Sequence, residues 1–291
     1  MPKRTIRFLL YTIHGHLARG TPDYAKLLRG IVRLKGRFWR DGKRVIAFGT
    51  VMIAEAGLNS ERVVLTVYSG DADKSVLYFD LNSQAEISSL LETGRFVARK
   101  THVIFDPTQR VVLIEAGRGH PSAEEIAKII EAESRRDQKY DSLDLSFVPV
   151  AAATFGNKID EMQRIQSVTV SIARPNFDWG DRYDQLTKLA DDSRGKAIDT
   201  TIRARRNDSL SKQRGLIPSL KHWLSDRYSS VSSAKVKGAL SGTSGLIELK
   251  LSDHVETVSL TTEASNQTGY PLDSDVQDKL NAYLDQRSER R

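Results

Sequence analysis

Short segments with a period of two and segments with a period near 3.6 follow one another along this chain in no regular order, and that irregularity most limits its fold. Residues 4–13 alternate, with Ile6, Phe8 and Leu10 at every second place, the pattern of a half-buried strand. Asp23, just after Pro22, is placed to cap a helix over 24–34 whose Leu27, Leu28, Ile31 and Leu34 share one face. Strands are expected at 44–54, 62–69 and 75–80, and a short helix at 83–92 that stops at Gly94. Residues 95–105 and 110–116 read as a hairpin around Asp106-Pro107-Thr108. A helix opening at Pro121 and Ser122 runs to residue 138, with Ile126, Ile129 and Ile130 inward. A strand at 142–150, one or two helical turns at 158–164 and a strand at 167–172 follow. This order lacks the strand–helix alternation of a doubly wound sheet, so the expected class is α+β with mainly antiparallel sheets.

The texture changes at Asn176. Residues 181–189 read as helix. Residues 197–206 read as an amphipathic strand with Ile198, Thr200, Ile202 and Ala204 on one face and a basic outer face. Residues 211–227 read as a helix interrupted by Pro218, and 229–233 as a serine-rich break. A second hairpin is expected from 246–251 and 255–261, then a polar loop at 264–271. The closing helix spans 273–288, with Val276, Leu280 and Leu284 as its inner stripe. The expected division is an α+β region over 1–175, a basic inserted region for dimerisation or DNA binding over 176–240, and a hairpin and helix over 241–291 that complete the fold.

A hydrophobic fraction of 39% and a mean hydropathy of −0.41 allow a sizeable core in 291 residues. No apolar run approaches the roughly 18 residues of a membrane span, and the apolar stretch at 8–13 is too short and mixed for a signal peptide. Cysteine is absent, which excludes disulfides, cysteine-ligated zinc and a thiol nucleophile, and fits a cytoplasmic protein.

Charge is unevenly distributed. The chain carries a net +7, but residues 1–50 alone carry +10 and residues 194–238 carry +8, while 51–193 carry −7 and 239–291 carry −4. Two basic blocks separated by an acidic stretch are the asymmetry of a polyanion binder. In the second block, Arg203, Arg205, Arg206, Lys212, Arg214, Lys221, Arg227, Lys235 and Lys237 recur in one compact stretch, interleaved with His222, Trp223 and Tyr228. Such cations neutralise phosphates and release counterions, and the hydroxyls of Ser209, Ser211 and Ser219 are expected to add neutral hydrogen bonds to phosphate. The bland reading of this block is a solvated basic face. The first block, with Lys26, Arg29 and Arg33 on a helix and Arg37, Arg40, Lys43 and Arg44 around an Asp41-Gly42 turn, reads at least as well as ordinary charged surface.

Motifs of catalysis are weak. No phosphate-binding loop occurs, and Gly117 and Gly119 lack a third glycine at 122. His14 and His16 lack a third ligand at recognisable spacing and read as a turn after the first strand. Asp71 and Asp73 also read as a turn. A Mg²⁺-dependent nuclease would place Asp106 and Glu115 together, but the lysine such sites use is missing after Glu115. The expectation is therefore a non-enzymatic DNA-binding protein with no cofactor or metal. The alternatives are an RNA binder that stacks bases on Trp223 and Tyr228, the nuclease, and a basic surface docking onto an acidic protein or anionic membrane.

The stretch Leu145-Ser146-Phe147-Val148-Pro149-Val150, then Ile165-Gln166-Ser167-Val168-Thr169-Val170, resembles the middle of the RexA family of phage exclusion proteins. The hairpin at 101–116, the segment Leu246-Ile247-Glu248-Leu249-Lys250 and the C-terminal helix fall in a similar order. The resemblance spans about 95–291 and lies in hydrophobic pattern and order. It implies a homodimeric α+β protein, distantly related to RdgC-like DNA binders, that acts in phage defence or abortive infection as sensor or effector. It also implies binding to duplex DNA with little sequence preference and a membrane-protein partner encoded nearby. It carries over no individual residue; the nine candidates above come from charge alone.

Overall fold

A computed structural model describes residues 2–18, 20–56, 60–72, 75–80, 85–92, 95–173, 195, 197–226, 229–240 and 245–289. The larger of its sheets is built from β1 (Lys3–His16), β2 (Phe38–Asp41), β3 (Arg44–Ala56), β4 (Ser60–Asp71), β7 (Arg99–Asp106), β8 (Val111–Glu115), β9 (Asp144–Pro149) and β14 (Thr257–Glu263). The strand order is β14-β1-β8-β7-β4-β3-β2, with β9 also on β1, and the pairings are antiparallel. The mixed α+β class with antiparallel sheets is thus the observed one.

Both faces of this sheet are covered. Helix α1 (Tyr24–Gly30), its 3₁₀ continuation Ile31–Leu34 and α2 (Ala123–Ser134) lie on one face, where Leu27, Leu28, Ile126 and Ile130 meet Leu65, Val67, Val103 and Phe105. The C-terminal helix, Asp273–Glu289, lies on the other, packing Val276, Leu280 and Leu284 on Phe8, Leu10, Ile104 and Leu113. Central strands therefore bury both side-chain sets, which is why 63–67 is a nearly unbroken apolar run. The caps follow the sequence: Asp23 accepts from the Lys26 N–H at 3.1 Å, and Ser122 and Glu125 form a reciprocal capping box.

The second sheet is smaller. It consists of β10 (Met162–Ala173), β11 (Ala197–Arg203), β12 (Val231–Leu240) and β13 (Ile247–Lys250), ordered β11-β10-β12-β13 and antiparallel throughout. It joins strands from all three segments divided at 175 and 240. Helices α3 (Ala153–Glu161) and α4 (Leu216–Ser225) cover one face, with Phe155, Ile159, Ile217 and Leu220 packed on Val168, Val170 and Val236. The C-terminal helix is α5. No helix of the described residues is long and apolar enough to cross a membrane.

Several expectations are corrected. Residues 85–90 form a strand, β6 (Ala85–Leu90), paired with β5 (Ser75–Asp80) rather than a helix; pairing with a neighbour overrides weak local propensity. Residues 246–251 and 255–261 do not form a hairpin: β13 pairs with β12 and β14 with β1, and a 3₁₀ turn, Leu251–His254, carries the chain from one sheet to the other. The serine-rich break covers only Ser229 and Ser230, because β12 starts at Val231. Its alternation is masked by small residues such as Gly238, where a Cβ would sit 2.3 Å from the Arg164 carbonyl oxygen. Pro218 does not interrupt α4, since it sits in the first turn, where its missing N–H has no intrahelical partner.

Other boundaries also move. Helix α3 begins at Ala153 and is over by Met162, where β10 starts. Helix α2 ends at Ser134, followed by a separate 3₁₀ turn, Gln138–Tyr140. Strand β11 stops at Arg203. His14 and His16 lie within β1, paired with β9, not in a turn. The helix expected at 181–189 lies outside the described residues.

Candidate nucleic-acid interface

Antiparallel pairing turns sequence alternation into two faces of the second sheet. Register puts Arg203, Ser167, Lys237 and Glu248 in one row across β11, β10, β12 and β13. The next row holds Thr201, Thr169, Lys235 and Lys250, and a third Asp199, Ser171 and Ser233. These residues alternate with the core residues Val168, Val170, Val236 and Leu249 and so share the face away from α3 and α4. No core cluster of the described residues covers that face: Thr201, Arg203, Lys235, Lys237 and Lys250 are exposed. Neighbouring strands are about 4.8 Å apart, so cations and hydroxyls lie within one contact footprint.

Lys235 and Lys250 stand directly opposite each other, a like-charge pairing that costs stability. Lys250 has Glu248 at 3.5 Å, but among the described residues Arg203, Lys235 and Lys237 have no carboxylate partner. The hydroxyls of Thr169 and Thr201 hydrogen-bond at 3.0 Å. Beyond β11, Arg205 and Arg206 are exposed in a turn through Asn207, at φ 66°, that stays on the same edge because the Ala204 N–H donates to the Gln166 carbonyl at 2.8 Å.

The nine sequence candidates therefore divide. Arg203, Lys235 and Lys237 share the open face, and Arg205 and Arg206 extend its edge. Lys212 and Lys221 both bind Asp160 of α3, through its carbonyl at 2.7 Å and its carboxylate at 2.6 Å, and so staple α4 and its preceding loop to α3. Arg214 is exposed in that loop, and Arg227 lies outside the described residues. Lys250 was missed by charge counting; its signal is the alternation Glu248-Leu249-Lys250 on β13. Trp223 packs against the covered core, and Tyr228 lies outside the described residues. The N-terminal basic block sits on α1 and the β2–β3 hairpin, against the larger sheet.

The acidic groups considered for catalysis do not converge. Asp106 is buried, bound by Arg62 Nε at 3.0 Å and by the Gln109 N–H at 2.8 Å. Glu115 lies at the opposite end of the same hairpin, against His102. His102 is held through both ring nitrogens, Nδ1 to Glu115 and Nε2 to Asp273, each at 2.7 Å. Burial alone would lower its pKa, but the hydrogen bonds to the two carboxylates outweigh it and raise the value. The hydrogen bond from His102 and the neighbouring Lys100 hold Asp273 down at about 2. A ring donating from both nitrogens is an imidazolium clamp with no free base nitrogen. Among the described residues no cluster of three His, Cys, Asp or Glu is arranged to hold a metal ion.

Neither a family model nor a curated protein matches the chain.

Proposed function

We propose that this protein binds duplex DNA with little sequence preference through the open face of its smaller sheet. The observation that carries this reading is the uncovered face itself, where Arg203, Lys235 and Lys237 lack carboxylate partners among the described residues and stand beside Ser167, Thr169, Thr201 and Lys250. Cations supply phosphate affinity through counterion release, and hydroxyls add neutral phosphate contacts. A sheet face without a convergent polar pocket favours backbone contacts over reading of base edges. Arg205 and Arg206 extend the same surface; Lys212 and Lys221 are left out because Asp160 engages both.

The resemblance to RexA-type exclusion proteins supports a homodimer in a phage-defence setting, working with a membrane-protein partner, and the lack of cysteine fits the cytoplasm. The test is a titration of labelled duplex DNA by anisotropy at several salt concentrations, with and without Mg²⁺, and with single-stranded RNA as competitor. The reading predicts tight binding at low salt, a steep salt dependence, intact DNA in Mg²⁺ and weak competition by RNA. No binding at low salt would sink it; nicking in Mg²⁺ that EDTA abolishes would move the function to a nuclease.

A further inference from the structure

A second cationic feature lies on the larger sheet, away from the strands assigned to DNA. A cleft of about 470 Å³ opens between α1 with its 3₁₀ continuation and the C-terminal end of α2. Lys26, Arg29 and Arg33 line one wall, placed there by helical spacing. Arg37, Arg136 and Lys139 line the other. The lining carboxylates are Glu133 and Asp137. Glu133 is largely buried and holds two of the arginines, Arg37 Nη1 on one oxygen at 3.2 Å and Arg136 Nη2 on the other at 2.8 Å. Each guanidinium is thereby fixed in orientation and keeps further N–H donors. Among the described residues Arg33 has no carboxylate partner; Lys139 has a through-space attraction to Asp23 but no ion-pair contact, and its ammonium lies over the Tyr140 ring at 5.3 Å.

Lys26 is engaged by Asp23 at 3.1 Å and Arg29 by Glu61, so the uncompensated charge rests on Arg33, on Lys139 and on the two arginines that share the single carboxylate of Glu133. Crowded cations repel one another and lower stability unless an anion joins them. The cleft has the volume of a small-ligand site rather than a duplex track, and its cations stand on both walls, so the matching ligand is compact and carries several charges. Arginine forks suit phosphate oxygens.

We propose that the α1–α2 cleft binds a compact polyphosphate, a ligand with two or more linked phosphate groups, held between Arg33 on one wall and Arg37, Arg136 and Lys139 on the other. This site is independent of the DNA surface.

The test is calorimetric titration of the full chain with tripolyphosphate at low salt, with orthophosphate as comparator and melting temperature as a second readout. The expected result is saturable one-site binding, weaker for orthophosphate, with a rise in Tm that grows with ligand concentration. Arg33→Ala with Lys139→Ala should weaken tripolyphosphate binding by about tenfold or more. The pair should leave duplex-DNA affinity and the ligand-free Tm unchanged or the Tm slightly raised, since both side chains are exposed. ATP in a parallel arm separates two sources of the same chemistry: tighter binding than tripolyphosphate assigns a nucleotide, and equal binding assigns the phosphate chain alone. The proposal is overturned by absence of saturable binding to the native chain, by equal affinity for orthophosphate, or by tripolyphosphate binding that survives both this pair and Arg37→Ala with Arg136→Ala. It is equally overturned if the cleft variants lose DNA affinity while the native chain ignores tripolyphosphate.

Discussion

The eight-stranded and four-stranded sheets of this protein have the same antiparallel construction and opposite relations to solvent. The larger is closed on both faces, by α1 and α2 on one side and α5 on the other. Two of its buried polar groups clamp it to α5: Arg62, which also holds Asp106 of β7, reaches the Asn281 carbonyl and Asp285, and His102 reaches Asp273. The four-stranded sheet is covered on one face by α3 and α4, and on its other face Arg203, Lys235 and Lys237 have no carboxylate partner among the described residues. In the closed layer Arg62 and Asp106 match each other and His102 is matched by Glu115 and Asp273, because an unmatched buried charge is costly. Where the sheet meets water, that pressure is absent, and cations outnumber the carboxylates Asp199 and Glu248 on the same face. The closed sheet holds the larger core, and the open sheet is where we propose that binding occurs.

Substitutions can break this division. Arg62 is 2% exposed and Asp106 1%, so Arg62→Ala leaves a buried carboxylate unpaired and should lower unfolding free energy by about 3–5 kcal/mol, read by denaturant titration. A loss below about 1 kcal/mol would mean that α5 is held by its apolar stripe alone. The next effect is pH dependence in the same layer. His102 has a pKa raised above its ordinary 6.5, so its contribution is complete below 6.5 and is lost as pH rises through the raised value. Asp273, lowered from 3.8 to about 2, and Glu115, lowered from 4.5 because its hydrogen bond to His102 outweighs burial, contribute fully above those ordinary values and lose this as the solution becomes more acidic. Tm should therefore plateau between pH 4.5 and 6.5, and His102→Gln should remove the decline on the alkaline side. An unchanged alkaline decline in that variant would assign it to other groups. Ser122→Ala, which removes the capping box of α2, should cost about 1 kcal/mol. The smallest effect belongs to the open sheet: Arg203→Ala, Lys235→Ala and Lys237→Ala should each change stability by less than about 0.5 kcal/mol. A larger loss would show that these cations also hold the sheet together.

Local signals were legible and pairing partners were not. Asp23 and Ser122 announced their helices, and Val276, Leu280 and Leu284 announced the face of α5, because caps and stripes lie within a few residues of what they control. The strand at 85–90 and strand β12 were hidden, since their hydrogen-bond partners decide them and the residues of β12 are small or polar. The error at 246–261 has the same origin: two adjacent strands look like a hairpin until each finds its partner in a different sheet. Charge counting likewise found Arg203, Lys235 and Lys237 but could not see that Asp160 binds Lys212 and Lys221, nor that Lys250 stands beside Lys235.

We propose DNA contact on the open sheet face and not on the helix-covered side. The most direct measurement compares the slope of log affinity against log salt, on one labelled duplex, for the native chain, for Arg203→Ala/Lys235→Ala/Lys237→Ala and for Lys212→Ala/Lys221→Ala. The first variant is expected to flatten the slope by about 2.7, three phosphate contacts at about 0.9 each, and the second to leave it unchanged. A slope that stays at the native value in the open-face variant, or falls only when Lys212 and Lys221 are removed, would contradict the proposal.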